Sequence, residues 1–237
     1  MTNVLVLGDS HLGAIKRAHN EVREENKWLS FMALGKGTFA TSPFFEVDEQ
    51  GKTVRITAEE WNKVEFSSSS TGKAKWPDLL VVSLPINTSR ILRDFSWETH
   101  VPWRLKETSK EITLSDAFVE KLIAQDNQYA IDYTTALVKI GMQVAALEAP
   151  RFFEDAPYLK TSRLNVISHI DALYRERTIQ TLSSRGVGVI RQAKDTISET
   201  GTTKMAFNNE RPNDVHHANL EYGHICISEI RKYAGID

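Results

Sequence analysis

The stretch VLVLGDSHLG, residues 4–13, decides how this chain is read. Four aliphatic residues run into Gly8, and an acid, a hydroxyl and an imidazole follow at Asp9, Ser10 and His11 before helix-forming residues resume. A short unbroken apolar run that stops at a glycine reads as a strand. Beyond it, Leu12, Ile15, Ala18 and Val22 share one helical face, while Lys16, Arg17, Glu21, Arg23 and Glu24 take the other. Strand, turn and helix in that order predict a unit of a parallel sheet, and ligands of such sheets gather at the carboxyl ends of the strands. Asp9, Ser10 and His11 occupy that end. A serine there is presented beside a helix N-terminus, whose free N–H groups favour a developing negative charge. The plainer alternative is that Asp9 or Ser10 caps the helix, a role worth about 1 kcal/mol.

The same rhythm continues along the chain. NVLVL (3–7), WLSFMAL (28–34), DLLVVSL (78–84), QVAALEA (143–149) and GVGVI (186–190) read as five strands. Helices are expected over residues 115–140 and 161–185, closed by Gly141 and Gly186, and over about 218–233. This alternation predicts a single α/β domain, a three-layer α/β/α flavodoxin-like sandwich around a parallel sheet of about five strands. Two insertions break it. Residues 44–76 hold a hairpin turning at 48–51, a capping box at Thr57 and Glu60 that predicts a short helix, and a flexible polar connector at 67–73. Residues 89–109 hold Phe95, Trp97, His100, Trp103 and Arg104 without a clear period.

Bulk properties narrow the function. With 41 % hydrophobic and 25 % charged residues, the chain has ordinary globular composition and is expected to be soluble. A formal net charge of -2 leaves no concentrated basic field, so nucleic acid is not an expected partner. The apolar run at 4–7 is too short for a signal-peptide core and no stretch reaches membrane-span length, which makes a cytoplasmic location the expectation and a membrane partner unexpected. The single cysteine, Cys226, excludes an intrachain disulfide and reads as a packed thiol on the last helix.

Near the other end, NDVHHANLEYGH (213–224) places Asp214 three residues before His217, a spacing that lets the carboxylate hold the imidazole in one tautomer. A nucleophilic serine needs such a base. His216 stands next to His217 and is equally able to accept a proton, but the spacing from Asp214 favours His217. Asp9, His11, Asp214, His216, His217 and His224 could be collected into a metal site. They lack the His-x-x-x-His spacing that marks one, so no metal or other cofactor is expected. His19, His100 and His169 read as solvated or packed histidines.

The GDSH turn after the first strand, together with Asp-x-x-His at Asp214 and His217 followed by Asn219 and Gly223, resembles the SGNH/GDSL hydrolase superfamily. PDLLVVSLPINT (77–88) stands in the place of that family's third block and VAALEAPRF (144–152) in the place of the strand that follows. The resemblance covers nearly the whole chain. It implies the α/β/α fold and a serine esterase with Ser10 as nucleophile, His217 as general base and Asp214 as orienting acid. It also implies an oxyanion hole made of the Ser10 amide, a glycine amide and the Asn87 side chain. Gly37, which opens a loop before a threonine, is preferred for the glycine over Gly35. Two departures stand out: His11 replaces the usual leucine, and Pro85-Ile86-Asn87-Thr88 replaces Gly-x-Asn-Asp.

The implied substrate is a small-molecule or carbohydrate ester, with O-deacetylation of a sugar as one version. An O-acyltransferase with the same triad and a non-catalytic binding domain are the alternatives. Candidate substrate contacts are His11, Arg151 after the fourth strand, and Trp97 and Trp103 as an aromatic platform, although the tryptophans also suit a role in anchoring their own loop.

Overall fold

A computed structural model describes residues 2–68, 76–211 and 214–236. All five expected strands form, as β1 (Val4–Gly8), β2 (Leu29–Ala33), β6 (Leu79–Ser83), β9 (Val144–Leu147) and β10 (Gly188–Ile190). They make one parallel sheet in the order β10-β9-β6-β1-β2. Alternate residues face opposite sides of a strand, and both sides here are apolar. Val4, Val6, Leu79, Val81, Ala145 and Leu147 face α1 (Leu12–Glu21) and α5 (Leu220–Tyr233). Leu7, Leu80, Val82, Val144 and Ala146 pack instead with residues of α3 (Asp116–Lys139) and with Leu182 of α4 (Leu164–Ser184). That double burial explains why the strands read as continuous apolar runs.

Helix boundaries follow local chemistry. Ser115 caps α3 by accepting a hydrogen bond from the Phe118 amide, and Gly141 and Gly186 take the positive φ (99° and 80°) expected after α3 and α4. The helix expected from residue 161 starts later, because a short 3-10 turn at Pro157–Lys160 precedes it. Likewise Asn219 lies outside α5 and caps it, accepting from the Tyr222 amide at 3.1 Å.

The crossover from β2 to β6 departs from the pattern. Here the hairpin β3 (Phe45–Val47) and β4 (Thr53–Ile56) gains a third antiparallel strand, β5 (Glu65–Ser67). The helix expected from the capping box at Thr57 and Glu60 does not form; those residues make an irregular segment and a turn. Tertiary packing overrides the local signal, since Phe44, Val54, Ile56, Trp61 and Phe66 must all reach the α3 side of the core. The polar connector expected at 67–73 lies outside the described residues from 69 onward.

The second insertion folds into short pieces: α2 (Ser89–Leu92), then β7 (His100–Pro102) paired in parallel with β8 (Ile112–Leu114). Trp97, Val101, Ile91 and Leu92 pack there on Val119, Ile123, Val166 and Ile170 of α3 and α4. Among the described residues no helix is long and apolar enough to cross a membrane.

Helices α1 and α5 lie side by side and carry the two ends of the chain together. Their contact is tight at Gly223, where a Cβ would stand 2.3 Å from the Ala14 carbonyl oxygen. Gly223→Ala is therefore expected to force the helices apart and cost about 1–3 kcal/mol, the usual price of overpacking. A thermal melt should fall by several degrees, and an unchanged Tm would show that the helices yield without loss.

Candidate active site

In a sheet of this order the winding switches from one side to the other between the parallel strands β1 and β6, and the crevice beyond their carboxyl ends is where α/β proteins bind ligands. Asp9, Ser10 and His11 leave β1 at that point, and Asn87 and Thr88 follow β6. The 214–217 segment reaches the same place because α5 packs on α1.

Ser10 is exposed, and its Oγ lies 2.9 Å from His217 Nε2. On the far side of the ring, His217 Nδ1 is 2.7 Å from Asp214 Oδ1. Asp214 also accepts from the His217 amide and from the Asn209 side chain. Partial burial works against its charge, but the His217 hydrogen bonds and charge outweigh that, and its carboxyl titrates below the usual range. The two histidines differ in this contact: His216 Nδ1 is 3.8 Å from Asp214, beyond hydrogen-bond reach. Burial, the neighbouring His217 and Arg93 push the His216 ring down to about 4, so it is neutral near pH 7.

Asp9 organises the opposite wall, a role the sequence signals only by its place beside Ser10. Nearly fully buried, it accepts from the His11 amide at 3.0 Å through Oδ1 and from Asn87 Nδ2 at 3.2 Å through Oδ2. Asn87 is fixed at its other end too, with Oδ1 accepting from the Ser89 amide at 3.0 Å. Gly37 closes against the same carboxylate, where a Cβ would come within 2.2 Å of Oδ2. Only glycine lets the backbone approach that closely. Gly35 is crowded by the Trp61 ring instead and does not line the crevice.

Together these residues bound a cleft of about 460 Å³ lined by Ser10, His11, Gly37, Thr38, Asn87 and His216, among others. The His11 ring stands 4.9 Å from that of His217, and its Nδ1 is sealed from solvent without a partner among the described residues. Burial holds its pKa down, with Asp9 opposing and His217, Arg93 and Arg90 reinforcing.

Three expected substrate contacts are not brought to the cleft. Trp97 is buried in the core of its insertion and donates to the Ile91 carbonyl at 2.7 Å, which makes it a loop anchor. Trp103 is 54 % exposed beneath the Arg104 guanidinium and does not line the cleft. Arg151 is tied to Asp171 at 3.1 Å, within an ionic cluster below the site. At its centre the fully buried Arg175 bonds Asp171, Glu148 and the carbonyls of Ala149 and Pro150, and donates to the Thr88 hydroxyl, which itself donates to Asp171 at 2.7 Å. The cluster thus pins the residue after Asn87 to the end of β9.

Sequence reasoning missed the cations of the cleft, Lys36, Arg90 and Arg93. Arg90 and Arg93 are three apart in TSRILRDF, directly after Asn87, and that spacing was the available signal. Asp214, His216 and His217 offer ligand atoms within 4.8 Å of one another, but the Asp214 and His217 atoms are engaged in the contacts to each other and to Ser10. His224 pairs with Glu21, His19 packs beside Phe31 with Nε2 near the Asn26 carbonyl, and Cys226 is a buried thiol pushed up to about 12.

No family model and no curated protein matches the chain. Solved structures do. A GDSL-like lipase of Bacteroides thetaiotaomicron is similar at a TM-score of 0.51 and 8 % identity, over 99 % of this chain and 88 % of that one. A Bacteroides fragilis protein described as "a putative acylhydrolase" is similar at 0.52 and 10 % identity, over 99 % and 86 %. Likeness at such identity is a likeness of backbone path, and the path in question is that of the SGNH/GDSL hydrolase fold, which this chain has.

Proposed function

We propose that this protein is a serine acyl hydrolase that cleaves an ester through Ser10, His217 and Asp214. The observation that carries the reading is the unbroken relay from Ser10 Oγ to His217 Nε2 at 2.9 Å and from His217 Nδ1 to Asp214 at 2.7 Å. Those lengths are what nucleophile activation needs: the base within hydrogen-bond reach of the hydroxyl, and a third group orienting the base.

In the reaction, His217 Nε2 takes the hydroxyl proton as Ser10 Oγ attacks the ester carbonyl carbon. The carbonyl oxygen becomes an oxyanion. The Ser10 and Gly37 amides and the Asn87 side chain receive it; Asn87 Nδ2 has two hydrogens, and Asp9 uses one of them. Collapse of the tetrahedral intermediate breaks the ester C–O bond, and the proton on His217 passes to the leaving alkoxide. Water then repeats the sequence on the acyl-enzyme and releases the acid. Asp214 stays ionised throughout and steadies the imidazolium.

The altered third block raised the alternative of a binding domain without catalysis. Asn87 held from both ends in the cleft speaks against that alternative. A sugar hydroxyl could replace water at the second step, which would make the protein an acyltransferase with an unchanged first half.

A fluorophosphonate probe is expected to label Ser10 in the folded protein. Ser10→Ala and His217→Ala should each lower the hydrolysis of short p-nitrophenyl esters and acetylated sugars by at least about 1,000-fold without unfolding the chain. Activity that survives in Ser10→Ala removes the proposed nucleophile. For Asn87→Ala the expected loss is on the order of 100-fold or more, falling on kcat rather than KM, because the oxyanion exists only after attack. Equal product yields with and without a sugar acceptor would favour the hydrolase over the transferase.

A further inference from the structure

The charges around the cleft do not balance. Its lining includes three permanent cations, Lys36, Arg90 and Arg93, against one carboxylate, Asp9. Asp9 is spent on the His11 amide, the Asn87 side chain and the close approach of Gly37. Arg90 is also satisfied: it pairs with Asp126 at 2.9 Å, and one of its nitrogens donates to the Gly37 carbonyl, so its work is to fix that loop. Lys36 and Arg93 are different. Both side chains are exposed and neither has a carboxylate or other hydrogen-bond partner among the described residues. Four other exposed arginines, Arg55, Arg104, Arg177 and Arg185, each meet an acid, while Arg17 and Arg23 do not among the described residues. The three imidazoles beside Ser10 cannot supply the missing negative charge.

We propose that Lys36 and Arg93 bind an anionic substituent, a carboxylate or a phosphate, on the molecule whose ester Ser10 attacks. The inference rests on the hydrolase reading for its ester and on the cleft alone for its anion. Charges of one sign lining a cleft focus the field and raise the local concentration of an oppositely charged ligand, and a guanidinium offers paired donors that match either group. Arg93 already acts across the site, since its charge helps to hold His11 and His216 neutral.

The test compares the acetate esters of p-hydroxybenzamide, p-hydroxybenzoate and p-hydroxyphenyl phosphate, each corrected for its hydroxide-catalysed rate. With wild type at low ionic strength, the two anionic esters are expected to exceed the neutral one in kcat/KM by about 10-fold, the scale of two solvent-exposed charge contacts. High salt should erase most of that advantage. The double variant Lys36→Gln/Arg93→Gln should bring the ratio near one, and the ester with the larger loss tells carboxylate from phosphate. A wild-type ratio near one, or a variant that slows all three esters by the same factor, overturns the proposal. Binding is read separately in Ser10→Ala by NMR titration with benzoate, phenyl phosphate and benzamide. Shifts confined to the cleft for the anions, lost when Lys36 and Arg93 are also replaced, support the anion site even if no ester is turned over; in that case the hydrolase reading fails alone. Turnover without anion preference and without anion binding leaves the hydrolase and removes this proposal.

Discussion

A hydrogen bond between Ser10 and His217 joins residues 207 positions apart, and the packing of α1 against α5 brings it about. Ser10 is held by the turn between β1 and α1, and His217 by the segment that leads into α5. Neither segment determines the distance between them. It is set by α1 and α5 lying against each other on one face of the sheet, at a separation that the Ala14 carbonyl and Gly223 make unusually short. A hydroxyl and an imidazole that met a few ångströms farther apart would be two surface side chains.

Around this contact the polar groups fall into two tiers. In the cleft, Asp9 draws the His11 amide, Asn87 and the Gly37 backbone to one carboxylate, so the pieces of the wall are placed by a common partner rather than by three separate ones. Below it, Arg175 is surrounded by Asp171, Glu148, Thr88 and two carbonyls. Its burial costs much desolvation, and the Asp171 and Glu148 charges more than offset that, holding the guanidinium charged. Such a cluster adds little net stability compared with an apolar core, yet it fixes directions that an apolar core leaves free. The cluster thereby fixes the strand ends around Asn87.

Arg151 belongs to the same tier. Its position after the fourth strand made it a candidate for contact with substrate. Its side chain turns instead toward Asp171, because a buried carboxylate outbids solvent for a neighbouring guanidinium. The tryptophans were drawn off by a similar competition: Trp97 buries its ring against α3 and α4 and still satisfies its N–H on the Ile91 carbonyl.

By itself the sequence determined the five strands and the helices that cover them, and it singled out Ser10, Asp214 and His217 as candidates, because each is written in a local pattern of period, spacing or turn. Apolar runs with glycine ends reflect double burial, and Asp-x-x-His within one turn reflects a contact three residues long. Only the tertiary structure decided that β5 joins the hairpin where a short helix was expected, that Gly37 rather than Gly35 reaches the cleft, and that Lys36 and Arg93 are unpaired beside it among the described residues. Those outcomes depend on which side chains compete for the same space or the same charge across distant parts of the chain, and a competition of that kind leaves no mark on the spacing of residues along it.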